Sequence, residues 1–449
     1  MKKISFLKKI PVKYNVDIFV AGGGPSGIAA AVIAARQGAK VFLVENTSSF
    51  GGMGTSGGVA LFCAPTDGVN LTSSGFGTDV YEALRKEAGL SPFIKKRDPY
   101  SDFSFNCEVL KRVYDRLAKE SKVEFSFYTN FIDVEVENGI VEYAICSSKS
   151  GIFAVKAKIY VDATGDADLS VRAGAPFKKG DEEGKMQPAT LCSLWCDINW
   201  KKAIKSNCGI WQQDSHLSEA IQNGLFSIPD HHLPGMLPIG RYSGWGNIGH
   251  IFDVDGTDEK SITRALVHGR QLVMEYENYY KKYLKGYEKM QLLSTGALLG
   301  IRETRRIIGD YVLNIEDLKK RAVFSDEIGR FSYPVDIHAS SPNQKNFKKF
   351  EKIFKNLRYE KGENYGIPYR SLIPKKIKNV IVAGRSISCD RYIHGSIRVM
   401  PGCYITGQAA GMAAAIAANK RIMLRDLNVT ELQEKLINIG AFLPNFKKQ

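Results

Sequence analysis

No Cys-x-x-Cys pair occurs in this chain of 449 residues. Its eight cysteines (63, 107, 146, 192, 196, 208, 389, 403) are dispersed. Neither a thioredoxin-like redox pair nor a four-cysteine zinc or iron–sulfur framework is indicated. Cys192 and Cys196 read as buried thiols, because free cysteine behaves as a small hydrophobe, and reduced thiols suit the cytoplasm. Histidine is scarce too, with seven in all. His231-His232 and His250 are too isolated in sequence to suggest a metal site, and no metal is expected. Long hydrophobic runs are missing. The opening "MKKISFLKKIPVKYNVD" has the lysines of a signal peptide, but Lys8, Lys9 and Pro11 interrupt the ~7–15-residue apolar core such a signal needs. The alanine-rich Ala409–Ala418 stretch falls far short of the ~20 residues that span a bilayer. A cytoplasmic protein without a membrane span is expected.

Acidic residues are in deficit: 47 Asp and Glu against 62 Lys and Arg give a net charge of +15. The excess is mostly lysine, thinly spread, with concentrations at Lys2–Lys13 and Lys345–Lys378. A solvated lysine-rich surface accounts for it, and nucleic acid, which needs a clustered basic footprint, is not expected as a partner. The length suits two or three domains, and 44% apolar with 24% charged residues is ordinary for a globular chain. A homo-oligomer is compatible with this composition.

Glycine, by contrast, is placed with purpose. "VDIFVAGGG" is a short apolar run of the kind found in buried parallel strands. It leads into Gly22-Gly23-Gly24-Pro25-Ser26-Gly27, where Gly22, Gly24 and Gly27 satisfy G-x-G-x-x-G. Gly22 permits the turn, Gly24 lets backbone approach a pyrophosphate, and Gly27 lets the helix pack on the sheet. The helix "SGIAAAVIAARQG" would point its N-terminal amides at the phosphates. A second strand, "KVFLVEN", ends at Glu45 and Asn46, about twenty residues on, where a carboxylate can accept hydrogen bonds from a ribose. That carboxylate would repel a 2′-phosphate.

The next stretch separates FAD from NAD. "SSFGGMGTSGG" supplies a second glycine loop, Gly51, Gly52, Met53, Gly54 and Thr55, suited to lie along a pyrophosphate and a flavin. It holds no histidine or cysteine, so FAD is expected to be non-covalent. Three distant segments complete the pattern: "AKIYVDATGDADLSVRAGA", with Ala163, Thr164, Gly165 and Asp168; "KNVIVAGRSIS", ending at Gly384 and Arg385; and the small-residue helix "GSIRVMPGCYITGQAAGMAAAIAA", with Met400, Gly402 and Cys403.

With the interior marks "LLGIRETRRIIGDYVLNIEDL", "RFSYPVDIH" and "YGIPYRSLIPKKIKNVIVAGRSIS", the sequence resembles, over nearly its whole length, the FAD-dependent oxidoreductase family of glutathione-reductase-like flavoproteins. The resemblance implies an α/β fold: a Rossmann-like, glutathione-reductase-type FAD-binding domain with an inserted α+β substrate domain. The FAD-binding parts would be 14–185, carrying an antiparallel meander over 123–161, and 366–425. Residues 186–365 would form the substrate or cap domain, with a long helix from about Thr257 to Tyr283, and 426–449 a C-terminal helix. It also implies that backbone near Phe131 meets the adenine. Where relatives often carry a histidine soon after the "GRSIS" segment, this chain has Arg391, with His394 three residues later.

Flavin carries the electron chemistry, and the protein supplies positioning and acid–base groups. Arg398 precedes the helix expected at the flavin and could hold a substrate carboxylate or pair with an acid such as Glu303. Arg302 is the ligand-facing candidate of "GIRETRRIIG", with Arg305 and Arg306 as bracing ion pairs. If "YPVDIH" is extended, Asp336 and His338 share a face, and the carboxylate could orient the imidazole as a base; a structural histidine is the other reading. His394 is the second candidate base. No second strand–G-x-G-x-x-G–helix–strand–acid unit appears, so NAD(P)H, if it is the electron donor, would visit only transiently. The expected activity is hydride transfer between a small, anionic organic substrate and flavin N5. The alternatives are a flavin-dependent synthase or isomerase without net redox, and a flavin electron-transfer subunit of a larger complex.

Overall fold

The structure is a computed structural model describing residues 4, 8–87, 102–210, 212–342 and 357–447. The lysine concentrations at 2–13 and 345–378 therefore fall partly outside the described residues, as does the end of 426–449.

The first unit is β1 (Val12–Ala21), α1 (Pro25–Arg36) and β2 (Val41–Val44). β1 and β2 run parallel, with Ile18 opposite Val41 and Ala21 opposite Val44. The inner ends of both strands are buried on both faces, which explains runs such as "VFLV" in place of alternation. α2 (Phe76–Lys86) and α3 (Cys107–Glu120) share the core beneath this unit. β3 (Glu124–Ser126) then adds in parallel to β2.

β4 (Asn130–Glu137), β5 (Ile140–Ser148) and β6 (Gly151–Asp162) form the antiparallel meander. Asn138 and Gly139 make its first turn, both with positive φ (51° and 77°), a conformation that favours Asn-Gly. The expected meander over 123–161 is corrected in two respects. Residues 124–126 belong to the parallel sheet, and the last meander strand continues into the strand that ends at Asp162. One edge of β6 pairs with β1 along most of its length.

Between 189 and 301 lies a second, antiparallel sheet, made from β7 (Ser193–Cys196), β8 (Met236–Pro238), β9 (Gly244–Gly246) and β10 (Gln291–Thr295) in the order β8-β9-β7-β10. α4 (Glu259–Tyr283) covers a core of Trp195, Trp200, Tyr279, Tyr280 and Tyr287. It starts two residues later than the sequence suggests because Asp258 is the N-cap, its side chain accepting from Ser261 N at 2.8 Å.

The chain then returns. β11 (Val380–Val382) pairs in parallel with the second half of β6, completing a seven-stranded sheet ordered β3-β2-β1-β6-β5-β4 with β11 beside β6. α5 (Arg391–Ile397), α6 (Met400–Lys420) and α7 (Val429–Asn438) follow. α6 is buried from Met400 to Ala418 and lies against α1. A Cβ on Gly407 would sit 2.4 Å from Ser26 O, and one on Gly411 2.2 Å from Ala30 O. The two helices approach so closely that only small residues fit, which accounts for the alanine and glycine of both.

Candidate functional site: a glycine-walled cleft beside a histidine cluster

A cleft of about 360 Å³, within the ~300–1,000 Å³ typical of small-molecule and cofactor sites, opens at the ends of β1, β2 and β6. Its glycine turn is shaped by contact. Gly22 has φ +93°, and a Cβ there would meet Ala163 O at 2.6 Å. A Cβ on Gly27 would lie 1.9 Å from Gly22 O. At Gly24, however, a Cβ would meet nothing within 4 Å. Gly24 caps α1 with no side-chain bond and Pro25 follows, leaving the first turn of a buried helix open to the cleft. Such an N-terminus is a ready anion site.

Glu45 lines the cleft but is not idle. Its Oε2 accepts from Gly23 N at 2.8 Å, and its Oε1 accepts from Thr47 N and Thr47 Oγ1 at 2.8 and 2.7 Å. A carboxylate offers about four acceptor positions, so one remains for a ligand. Asn46, Gly52 and Met53 line the same wall. Gly51, with φ +100°, donates its N–H to Gly23 O at 2.8 Å, fastening the second glycine loop to the first. Thr55 closes that loop on Phe50 O. Gly54 stands where a Cβ would strike Met400 Sδ at 2.5 Å, so the loop also abuts the start of α6.

Ala163, Thr164, Gly165 and Asp168 form the floor, and Phe131 closes one end beside Thr129 and Asn130. Arg385 straps the floor to the opposite wall: Nε donates to Gly165 O (2.7 Å), Nη1 to Ile301 O (2.8 Å), and Nη2 pairs with Asp166 (2.7 Å). At the other end stand Arg398, Met400 and Cys403, around the uncapped start of α6. Burial pushes the Cys403 thiol up to about 12, so it stays protonated.

Of the residues expected to bind the cofactor, Gly22, Gly24, Pro25, Ser26, Glu45, Asn46, Gly52, Met53, Phe131, Ala163, Thr164, Gly165, Asp168, Arg385, Met400 and Cys403 line one cavity. Gly27, Gly51, Gly54, Thr55, Gly384 and Gly402 stand behind the wall and set its spacing. A Cβ on Gly384 would meet Ser26 Oγ at 2.6 Å, and one on Gly402 would meet Ile397 O at 2.4 Å. Sequence reasoning missed the far wall, which comes from Gly256, Ile262, Leu298, Leu299 and Ile301. The mark "LLGIRE" was a signal, but apolar residues carry no chemistry to single them out.

Beyond Arg398 runs a polar chain. Arg398 Nη2 donates to Asp336 O and Oδ2, both at 3.0 Å, while its buried Nε has no partner among the described residues. Asp336 Oδ1 lies 3.2 Å from His338 Nε2, His338 Nδ1 lies 2.9 Å from His250 Nε2, and His250 Nδ1 lies 2.9 Å from Asp230 Oδ2. Burial pushes the Asp336 carboxyl up, but His338, Arg398 and Arg302 outweigh it and hold it well below the ordinary carboxylate range. His338 is driven well below the usual imidazole range by burial and by Arg302. A second, smaller cavity is lined by Asp230, His231, His232, His250 and His338.

Two catalytic candidates, His394 and Arg302, lie outside the cleft lining. His394 is fully buried on α5, lines neither cavity, and has no hydrogen-bond partner on either ring nitrogen among the described residues. Burial and the surrounding Arg306, Arg398, Arg385 and Arg391 hold its pKa well below the usual imidazole range. Arg302 stands behind the cleft wall, donating to Pro188 O and Thr190 Oγ1 at 2.8 Å and to Asn247 Oδ1 at 3.3 Å. Burial and the nearby Arg398 bring its guanidinium down to about 10. Glu303 pairs with Arg306 and Arg391, not with Arg398.

A parallel sheet whose first turn is glycine, whose second strand ends in an acid, and whose returning helix closes the cleft is the frame of a Rossmann-like dinucleotide-binding protein. The chain belongs to the FAD dependent oxidoreductase family, which it matches over residues 17–436, and it is an enzyme of that family, with FAD as the cofactor. Among curated relatives, a protein named thiamine thiazole synthase from Desulfosudis oleivorans is 28% identical over 204 residues, covering 43% of this chain and 72% of that one. One of the same name from Methanococcus aeolicus is 30% identical over 201 residues, covering 41% and 66%. Among solved structures, a geranylgeranyl bacteriochlorophyll reductase-like protein from Thermoplasma acidophilum is 12% identical with a TM-score of 0.44, covering 97% of this chain and 94% of that one. The p-nitrophenol 4-monooxygenase PnpA from Pseudomonas putida is 11% identical with a TM-score of 0.47, covering 94% and 84%. No helix among the described residues is long and apolar enough to cross a membrane.

Proposed function

We propose that this enzyme holds FAD non-covalently, on a glutathione-reductase-type arrangement of residues 14–185 and 366–425, and oxidises or reduces a small anionic organic molecule seated against residues 186–365. The observation that carries the reading is the union of the α1 N-terminus, Glu45, the loop at Gly52 and Met53, and the start of α6 in one cleft. The open space at Gly24 suits a pyrophosphate, and the remaining acceptor position of Glu45 suits a ribose hydroxyl. When bound, FAD would supply the hydride acceptor or donor at N5. The uncapped start of α6 offers partial positive charge at the same end of the cleft as Arg398. Arg398, which lines the cleft, would orient the substrate while Asp336 fixes one side of its guanidinium. His338, one contact farther back, would position Asp336. It lines the smaller cavity and not the cleft, which argues against direct proton abstraction.

The test is anaerobic titration of the purified yellow protein with a panel of small organic anions, and separately with NADH, following the oxidised flavin band. Bleaching by one anion supports the reading; product formation with the flavin oxidation state unchanged favours a synthase or isomerase instead. That second reading is favoured by the two relatives named as synthases, although they match less than half of this chain.

A further inference from the structure

The geometry points to a binding site for one divalent transition-metal ion, of which Zn²⁺ is the type case, held by His232, His250 and His338 in the small cavity beside the flavin cleft. These three residues come from three separate stretches of irregular chain, and the closest contact, His250 with His338, joins positions 88 apart. Their ligand nitrogens all lie within 4.8 Å of one another. The rings are set for convergence: His232 is parallel to His250 (2°, centroids 4.9 Å apart), and His338 is nearly perpendicular to both.

The outer contacts matter as much as the inner ones. Asp230 Oδ2 lies 2.9 Å from His250 Nδ1, and Asp336 Oδ1 lies 3.2 Å from His338 Nε2. Carboxylates there favour the tautomers with hydrogen on those outer nitrogens, as in carboxylate–histidine–metal triads. The inner nitrogens, His250 Nε2 and His338 Nδ1, then turn lone pairs toward each other across 2.9 Å. Two lone pairs at that distance repel unless a proton or a metal ion stands between them, and with both outer nitrogens protonated the metal ion is the one that leaves both rings neutral. A tetrahedral ion with metal–nitrogen bonds of ~2.0–2.1 Å separates its ligand nitrogens by about 3.3 Å. The inner pair would open by a few tenths of an ångström and His232 would close in. Asp230 also accepts from His232 N at 3.0 Å, so one carboxylate steers two of the three ligands.

Charge around the cluster is balanced. Arg302 and Arg398 oppose a cation, and Asp230 and Asp336 offset them charge for charge. Three imidazoles leave a fourth coordination position, and the cavity continues past them to Phe252 and Ser341. The site is thus of the open kind, with three protein ligands and room for one exchangeable group.

The test uses the FAD-loaded protein stripped with a chelator, dialysed, and titrated with Zn²⁺ by calorimetry and with Co²⁺ by absorption beyond 530 nm, clear of oxidised flavin. One equivalent per chain is expected. Tetrahedral Co²⁺ bands should appear and disappear on adding Zn²⁺. His232→Ala and His338→Ala should each weaken Zn²⁺ at least 100-fold, and Asp230→Asn 10- to 100-fold, as outer-sphere partners do. His231→Ala, which alters the same cavity without touching the cluster, should bind as wild type. FAD content shows that each variant is folded. No stoichiometric binding to the wild type, or full binding retained in folded His232→Ala and His338→Ala, overturns the assignment.

Discussion

Two cavities in this molecule are joined by the Arg398–Asp336–His338 contacts, and their walls are made of different matter. The large cleft is walled by backbone: glycine turns, the bare first turns of α1 and α6, and a floor of Ala163, Thr164 and Gly165. The small one is walled by side chains, chiefly imidazoles with carboxylates behind them. Backbone walls recognise a ligand by close approach and by fixed dipoles, so their specificity depends on what is not there. Side-chain walls recognise by lone pairs and charge, so their specificity depends on which groups converge. Arg398 and Asp336 are the joint between the two, since Arg398 lines the cleft while Asp336 touches both Arg398 and His338.

The sharpest way to break this comparison is to add one methyl group to the backbone wall. Gly27→Ala would force a Cβ to within 1.9 Å of Gly22 O, a backbone atom that cannot step aside without moving the turn. The expected outcome is loss of both FAD and stable fold, at several kcal/mol, in the upper range for point substitutions. Gly24→Ala has free space and should fold normally. Its methyl group occupies the cleft, so FAD affinity alone should fall. Thermal unfolding and flavin content on both variants check this. Equal effects on folding would mean that the two glycines do not divide into packing and ligand roles.

Arg398→Ala tests the joint. It leaves Asp336 with His338 and Tyr333 but without its guanidinium, and removes the cleft's charged end. Losing a guanidinium that holds a buried carboxylate typically costs about 2–5 kcal/mol. Flavin reduction by substrate should drop accordingly while FAD stays bound. Arg398→Lys should not rescue it, because an ammonium cannot reproduce the planar fork. Normal turnover, or lost FAD and folding instead, would assign Arg398 wholly to its pair with Asp336.

The difference between the walls also decides what could be read from the chain. The backbone cleft was legible because its parts are local and their spacing is imposed by geometry: Gly22, Gly24 and Gly27 within one turn, and Glu45 one strand later. Even the distant pieces, Gly165, Gly384 and Met400, each sit at the end of an apolar strand or the start of a small-residue helix. The histidine cluster has no such rule. His232, His250 and His338 lie on irregular chain, and nothing in their spacing shows that the second sheet and the "YPVDIH" segment meet. His394 misled for the opposite reason, since it lies close in sequence to residues that do line the cleft. One helical turn separates His394 from Arg398, and helix α5 ends between them. Arg398 reaches the cavity and His394 is turned into the core.

Glu45→Ala sharpens the contribution of the carboxylate at the β2 end of the cleft. It would release Gly23 N and both Thr47 donors as well as the ribose position. A hydrogen bond to a charged group is typically worth about 1.5–3 kcal/mol, so FAD affinity should fall tenfold or more. Glu45→Gln keeps an acceptor for Thr47 but loses the charge, and should fall between. An unchanged FAD dissociation constant in Glu45→Ala would show that the carboxylate serves only the loop.

The smallest expected effect comes from His394, a histidine that lines neither cavity. His394 is buried and neutral, with its folded-state pKa well below the usual imidazole value because burial and four arginines oppose its proton. In the unfolded chain it takes up a proton near pH 6.5. Its contribution to stability is therefore present above pH 6.5 and is lost as pH falls below that value toward the folded pKa. The loss amounts to about 1.4 kcal/mol per pH unit for one group. His394→Gln removes this proton uptake and keeps a polar side chain of similar reach. Urea unfolding of both proteins at pH 8.0 and pH 5.5 should show the wild type losing about 1.4 kcal/mol more than the variant over that interval. The absolute stability of the variant is not at issue, because only the difference in slope reports the titration. Parallel pH profiles would mean that His394 is protonated in the folded protein, and then one of its buried nitrogens must have found an acceptor in the core of α5.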